Sequence, residues 1–298
     1  IITFELTKGF NKDELSIFAN NESHILAHYR FVTQEVLPKL QLNVEEMVYI
    51  WSSIQFLFKE VVKSSYELTD DSINTFKDFY KFPIKINISN LKSYLYSKLN
   101  FERIKIDNFL SILINPENER INFWKYPFYK DNSFLLFPLI TITSPLLPYL
   151  LDHWIDIGGI NLDTRGDYFE EFVKKELFIE LQDKNYEFLI SPISTFTNIN
   201  EESEEIDLVI NFKAIVLIAE IKCIKYPLDI RDKSNAVKRL TEGAEQVNRK
   251  AKFLIENASQ FKKDIGEISG KEIVKLVLTN FPIFTGLVLS SVPIADYA

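Results

Sequence analysis

The stretch EEIDLVINFKAIVLIAEIKCIKYP, residues 204–227, is the most strand-like part of the chain, yet the charged residues Asp207, Glu220 and Lys222 interrupt it. Side chains of a strand alternate between its two faces, which places Glu220 and Lys222 on the same face. Residues 215–219 are apolar on both faces, and this pattern predicts a strand that is covered on both sides where it begins. The charges therefore collect at the far end of a buried strand.

The two strands of this stretch are predicted to form a hairpin that turns at Phe212–Lys213. In that register Asp207 is a diagonal neighbour of Glu220 on one face of the sheet, about 7–8 Å away. Two carboxylates so placed can share one cation, whereas without a cation they repel and one of them has to take up a proton. An exposed hairpin with its charges facing water is the alternative, but it would alternate polar and apolar residues throughout, which residues 215–219 do not.

The elements around the hairpin predict an α/β layer. A helix is predicted over TRGDYFEEFVKKELFIEL (164–181), a strand over residues 187–197, a long helix over residues 234–260 and a last strand over EIVKLVLTN (272–280). The long helix carries an apolar stripe with steps of three and four residues, which are typical of a helix. The order helix, three strands, helix, strand indicates helices packed on a sheet.

The first half of the chain has a different character. Residues 1–150 are predicted to form a mostly helical domain, and residues 151–298 the α/β domain. In the helical half, Asn43 and Glu46 match a capping box at the start of an amphipathic helix. Residues 133–151 carry no charge, but their three prolines favour a buried strand and a turn over a helix that crosses a membrane.

The second half resembles the PD-(D/E)XK nuclease superfamily, which includes many restriction and DNA-repair enzymes. Asp207 is followed thirteen positions later (220 − 207) by a Glu-x-Lys triplet, behind a helix that carries Glu170. The resemblance covers roughly residues 160–297, in the segments RGDYFEEFVKKEL (165–177), EIDLVI (205–210), VLIAEIKC (216–223), GAEQVNRKAKF (243–253) and VLTNFPIFTG (277–286). There are two departures. Ile206 stands where the family has proline, and Lys250 stands four positions after Gln246, where the exonuclease-associated variant has tyrosine.

This resemblance implies a restriction-endonuclease-like αβββαβ core, a mixed sheet flanked by helices, with a metal-dependent active site. The implied catalytic residues are Asp207, Glu220, Lys222 and Gln246. The implied ligands of Mg²⁺ or Mn²⁺ are Glu170, Asp207, Glu220 and the backbone carbonyl of Ile221, whose oxygens are hard donors that suit these ions. Lys222 would orient the attacking water or stabilise charge that develops on the phosphate. The positions expected to bind nucleic acid are Lys225, Arg239, Arg249 and Lys250.

The chain is acidic overall and basic in one place. Its formal net charge is −8, which does not by itself indicate a nucleic-acid-binding protein. Residues 229–252 reverse the sign, with seven basic residues against four acidic ones, and they follow the predicted site closely in the sequence. A local basic run of this kind can bind DNA weakly and in a salt-dependent way. The alternative is the solvated face of a helix.

The sequence therefore predicts a nuclease that depends on Mg²⁺ or Mn²⁺ and acts on double-stranded DNA, with no association with a membrane. By resemblance it would serve bacterial defence or restriction, and partner subunits of a defence complex or a homodimer stay open. A catalytically silent module that binds DNA or assembles with other subunits is the main alternative, and a structure-specific or RNA-directed nuclease is another. Cys223 is the single cysteine, and the first residues lack a secretory signal, which together predict a cytoplasmic protein.

Overall fold

The computed structural model describes residues 23–65 and 83–297 of the 298-residue chain. The chain forms two compact units, Ile1–Ile160 and Asn161–Ala298, which we call unit 1 and unit 2. Local chemistry marks the boundary between them. Gly159 has a φ of +104°, a left-handed conformation that ends the last helix of unit 1. Asn161 then caps the first helix of unit 2, because its side-chain oxygen accepts a hydrogen bond from the Thr164 amide at 2.9 Å.

Within residues 23–65 and 83–160, unit 1 is built mainly of helices. The predicted capping box is confirmed: the Glu46 amide donates to Asn43 Oδ1 at 2.8 Å, and the Asn43 amide donates to Glu46 Oε2 at 3.0 Å. Trp51 and Trp154 are both fully buried and pack edge to face, with ring centroids 5.5 Å apart. The helices are α1 Ser23–Ala27, α2 Val44–Ser65, α3 Ile88–Lys98, α4 Arg103–Ile112, α5 Leu139–Thr143 and α6 Leu147–Gly158.

Unit 1 also contains a three-stranded antiparallel sheet in the order β1-β3-β2. Its strands are β1 Pro83–Asn87, β2 Tyr129–Asp131 and β3 Phe134–Pro138. The buried strand predicted within residues 133–151 is β3, where Phe137 is fully buried, and the short helix α5 follows it directly. None of the helices in the ranges 23–65 and 83–297 is both long enough and apolar enough to cross a bilayer.

Unit 2 is of the mixed α/β class, as the sequence predicts. Its six-stranded sheet has the order β10-β11-β9-β8-β7-β4. Strands β4, β7 and β8 pair antiparallel in turn, β9 lies parallel to β8, and β11 lies parallel to β9. The elements are α7 Leu162–Asp183, β4 Phe188–Ile190, β5 Thr195–Thr197, β6 Ser203–Glu205, β7 Leu208–Phe212, β8 Ile215–Lys222, α8 Ile230–Glu256, α9 Lys262–Ile265, β9 Glu272–Thr279, β10 Val288–Leu289 and β11 Val292–Asp296.

Two element predictions in unit 2 need correction. The single strand predicted over residues 187–197 is two strands, β4 in the large sheet and β5 in a separate hairpin with β6. Pro192 lies between them, and a proline cannot donate to a strand ladder. The long helix α8 begins at Ile230 and ends at Glu256, earlier at both ends than predicted. Its start is fixed by Asp229, whose side chain accepts a hydrogen bond from the Asp232 amide at 2.8 Å.

The hairpin of β7 and β8 is present, but its predicted register is wrong. Asn211 pairs with Val216, and Leu208 pairs with Ala219. Four residues, 212–215, therefore lie between the paired positions closest to the turn, whereas the prediction places two there. Two-residue hairpins favour residues that accept a positive φ, such as Asn or Gly, and Phe212 followed by Lys213 offers neither. The observed register extends to place Asp207 directly opposite Glu220 rather than diagonal to it.

Candidate active site at the ends of strands β7 and β8

The charged ends of two interior strands, β7 and β8, form the candidate site. Glu220 is a charged residue in the otherwise mostly apolar strand β8, and it is only 2 % exposed. Asp207 directly precedes β7, and its Oδ2 accepts a hydrogen bond from the Ile221 amide at 2.8 Å. This bond holds the Asp207 carboxylate against the neighbouring strand, beside Glu220. The structure thus brings together two carboxylates that the sequence predicts to be neighbours.

Two lysines neutralise these carboxylates. Lys222 Nζ lies 2.7 Å from Glu220 Oε1. Lys250 Nζ, from helix α8, lies 2.5 Å from Glu220 Oε2 and 3.2 Å from Asp207 Oδ1. We call these four residues, Asp207, Glu220, Lys222 and Lys250, the carboxylate–lysine cluster. The Lys250 ammonium bridges both acids, so the cluster already holds one cation between two carboxylates that face each other across the strands.

Helix α8 covers the face of β8 that carries Glu220 and Lys222. A Cβ atom at Gly243 would lie 3.2 Å from Lys222 Cγ and 3.3 Å from Lys222 Cε, so the glycine leaves room for the lysine chain to run against the helix. Gln246 follows three residues later and precedes Lys250 by one turn. Its Oε1 is buried and accepts no hydrogen bond from any residue that the structure describes. An acceptor without a described donor therefore lies on α8 between Gly243, which packs against Lys222, and Lys250.

The environment of the cluster shifts the pKa of two of its members. Burial raises the pKa of Glu220, and the negative charge of Asp207 raises it further. Burial lowers the pKa of Lys250, but the charges of Asp207 and Glu220 outweigh it, so the net shift is upward. Both upward shifts favour a bound proton, one on the Glu220 carboxyl group and one on the Lys250 amine.

The donor set of the cluster fits a divalent cation in part. Asp207 and Glu220 supply hard oxygens around one cation position, as Mg²⁺ or Mn²⁺ requires. Glu170, the predicted third carboxylate, is 31 % exposed on α7, where Lys174 pairs with it at 2.5 Å. Across residues 23–65 and 83–297, no group of three or more His, Cys, Asp or Glu side chains is gathered for a metal ion. A bound cation would therefore complete its coordination with the Ile221 carbonyl, water or substrate.

The residues expected to bind nucleic acid lie in different settings. Lys225 is exposed. Arg239 is partly exposed, and its Nη2 lies 4.0 Å from Asp163 Oδ1. Arg249 makes two hydrogen bonds to Glu204 of strand β6, at 2.7 and 3.1 Å, and its pKa is raised chiefly by this contact. Lys250 is buried in the cluster rather than displayed on the basic surface.

Two features of the site were not predicted from the sequence, the bridging position of Lys250 and the role of Gly243. A signal for the first was available, since Lys250 stands three residues after Val247 and four before Leu254, both of which are buried core residues of the α8 stripe. A lysine in phase with an apolar stripe has to be buried, and a buried lysine requires a negative partner. No comparable signal marks Gly243, because its role depends on how closely α8 crosses β8.

Comparisons of this chain with protein-family models, with curated proteins and with solved structures find no match. The resemblance to the PD-(D/E)XK superfamily therefore stays a hypothesis that rests on the sequence motifs of unit 2. What the chain presents by itself is an α/β unit with a buried carboxylate–lysine cluster at the ends of two interior strands.

Proposed function

We propose that unit 2 is a metal-dependent nuclease that hydrolyses phosphodiester bonds of double-stranded DNA. One observation carries the proposal: Asp207 and Glu220, from adjacent strands, converge on a single cation position, with Lys222 beside them. The order of strands supports it as well. The antiparallel run β4, β7, β8, followed by α8 and the parallel strand β9, is in keeping with the αβββαβ order that the PD-(D/E)XK resemblance implies, with the β5–β6 hairpin inserted after β4.

The residues of the cluster suit this chemistry. Asp207 and Glu220 would hold Mg²⁺ or Mn²⁺, and such an ion lowers the pKa of a bound water and offsets the charge of the phosphate under attack. The Lys222 side chain is 19 % exposed while its Nζ contacts Glu220, so it can reach both Glu220 and a substrate. An ammonium there would orient the attacking water or stabilise the developing charge. Gln246, with its free Oε1, would hold that water or a hydrogen-bond donor of the substrate.

The test is a cleavage assay with the full chain. Linear duplex, circular duplex, single-stranded DNA and RNA are each incubated with Mg²⁺, Mn²⁺ or EDTA. We expect duplex DNA to be cut with either metal and left intact in EDTA. Lys222→Ala should abolish most cleavage, while Lys263→Ala, a change at an exposed position of α9 outside the basic run 229–252, should leave it unchanged. Cleavage that persists in EDTA contradicts the mechanism, and cleavage of RNA alone reassigns the substrate.

A second candidate function has its own support. The two carboxylates are already neutralised by Lys222 and Lys250, and no third acid joins them in the described part of the chain. A closed ion-pair network of this kind would suit a catalytically silent module that binds DNA or other subunits. The same assay separates the two candidates. A silent module would bind duplex DNA without cutting it in any metal, and Glu220→Gln would leave that binding unchanged.

A further inference from the structure

The position of Lys250 sets a condition for metal binding. Its ammonium contacts both carboxylates that would hold the ion, at 2.5 and 3.2 Å, and the residue is only 6 % exposed. Val247 and Leu254, one turn before and after it, are fully buried. The apolar packing of α8 therefore delivers the ammonium to this place, and the contact is part of the fold rather than a chance meeting of flexible surface chains.

A divalent cation and the Lys250 ammonium exclude each other at this position. The cluster is neutral, with two carboxylates and two ammonium groups, so a divalent cation added beside them would leave excess positive charge in a buried place. Like charges a few ångströms apart repel strongly where water is excluded. The ion can enter only if the Lys250 ammonium leaves the acids. Once it leaves, it needs another negative partner, because an unpaired buried charge is strongly destabilising.

We propose that a substrate phosphate is this partner, so that Lys250 is the internal counterion of the acid pair and moves to the nucleic acid when the metal enters. The inference rests on the proposed function and names how its site is regulated. Phosphates are the usual anionic partners of lysines that bind nucleic acid. Gln246 Oε1, one helical turn away and without a described partner, offers the displaced ammonium a hydrogen-bond acceptor.

The consequence is a coupling between the two ligands. DNA draws Lys250 from the acids and so strengthens metal binding, and by thermodynamic reciprocity the metal strengthens DNA binding to the same degree. Without substrate, Lys250 holds the acid pair closed to metal. This arrangement would confine a hydrolytic ion to the moment when nucleic acid is bound.

Manganese binding measures the coupling directly. Free Mn²⁺ is followed by electron paramagnetic resonance as it is titrated into the full chain, with and without a phosphorothioate duplex that resists hydrolysis. For the wild-type protein we expect the duplex to tighten Mn²⁺ binding by about tenfold, within the usual range of coupling between sites. Lys250→Met should bind Mn²⁺ about tenfold more tightly than wild type without the duplex, and adding the duplex should then change little.

Lys263→Met is the control, since it removes an exposed lysine outside the basic run 229–252 and should reproduce the wild-type values. A second readout covers the case in which Lys250→Met does not fold: Mn²⁺ should raise the thermal midpoint of the wild-type protein much more when the duplex is present. Equal Mn²⁺ affinity in wild type and Lys250→Met would overturn the inference, as would a wild-type affinity that the duplex leaves unchanged. Failure of the proposed function looks different, because coupled binding would then be seen without any cleavage.

Discussion

Helix α8 contributes to two ion-pair regions, one buried and one at the surface. At Lys250 it enters the carboxylate–lysine cluster, where Glu220 is 2 % exposed. At Arg249, the preceding residue, it meets Glu204 at the surface, where the arginine side chain is 59 % exposed. Successive helical residues point about 100° apart, so neighbours in sequence reach the core and the rim. Apolar side chains often stabilise a core as well as buried ion pairs do, so charges kept in the core point to a function.

The largest expected difference between the two regions is in stability. Glu220→Ala leaves two lysines near a single carboxylate in a buried place, and breaking a buried pair in this way costs about 3–5 kcal/mol of unfolding free energy. Arg249→Ala breaks an exposed pair that water and salt screen, and should cost less than about 1 kcal/mol. Urea denaturation of both variants measures these values. Similar losses for the two would show that the cluster is not energetically distinct from the surface pair.

Cleavage should depend on the buried cluster, whereas DNA binding should depend on the surface pair. Lys222→Ala should lower the rate of metal-dependent cleavage by about 100-fold, because it removes a charge that stabilises the transition state, while DNA affinity stays near the wild-type value. Arg249→Ala should do the reverse, weakening DNA binding and reducing its salt dependence by about one phosphate contact. Rates and affinities measured over a range of salt decide it. If Lys222→Ala cuts DNA at the wild-type rate, the Glu-x-Lys strand has been misassigned.

The third acid gives a smaller effect. Oε1 of Glu170 pairs with Lys174 on α7, and the neighbouring Glu171 is exposed on the same helix. If Glu170 contributes a ligand through its other oxygen, Glu170→Gln should slow cleavage by about tenfold, in the range seen when a supporting residue of a metal site is lost. Glu171→Gln should be nearly silent, as most exposed substitutions are. Cleavage rates of the two variants at limiting Mn²⁺ test this, and a larger loss at Glu171 would remove Glu170 from the site.

The smallest effect concerns the surface pair itself. Glu204 occupies the Arg249 guanidinium with two hydrogen bonds, so a phosphate has to compete with it. Glu204→Gln should therefore tighten duplex binding at low salt, by about two- to fivefold, in keeping with the modest free energy of an exposed pair. The gain should disappear at high salt. Glu205→Gln, in the same strand β6, is the control for a general loss of negative charge, and an equal gain there would show that Glu204 has no specific role.

The sequence was sufficient for the parts of unit 2 that local periodicity controls. Alternation along β8 predicts that Glu220 and Lys222 share a face. The order helix, three strands, helix, strand predicts the α/β class. The predicted register of the β7–β8 hairpin, with its turn at Phe212–Lys213, is wrong. Neither residue readily adopts the positive φ that a two-residue turn requires, which favours the longer connection that is observed.

Long-range geometry limited the rest of the prediction. Lys250 lies 30 residues beyond Glu220, and only the crossing of α8 over β8 brings its ammonium to the acids. Glu170 shows the converse: its helix is predicted correctly, but its side chain pairs with Lys174 one turn along. Sequence spacing identifies which residues share a face, whereas the angle and depth of helix packing decide which faces meet.

The comparison between the buried cluster and the surface pair is tested most directly by one experiment. Cleavage of duplex DNA by wild type, Glu220→Gln and Glu204→Gln is measured side by side in Mn²⁺, with circular dichroism to verify folding. We expect that wild type cuts, that Glu220→Gln cuts about 100-fold or more slowly because a carboxylate ligand is gone, and that Glu204→Gln cuts at least as well as wild type. A folded Glu220→Gln protein that cuts DNA at the wild-type rate would contradict the assignment of the carboxylate–lysine cluster as the active site.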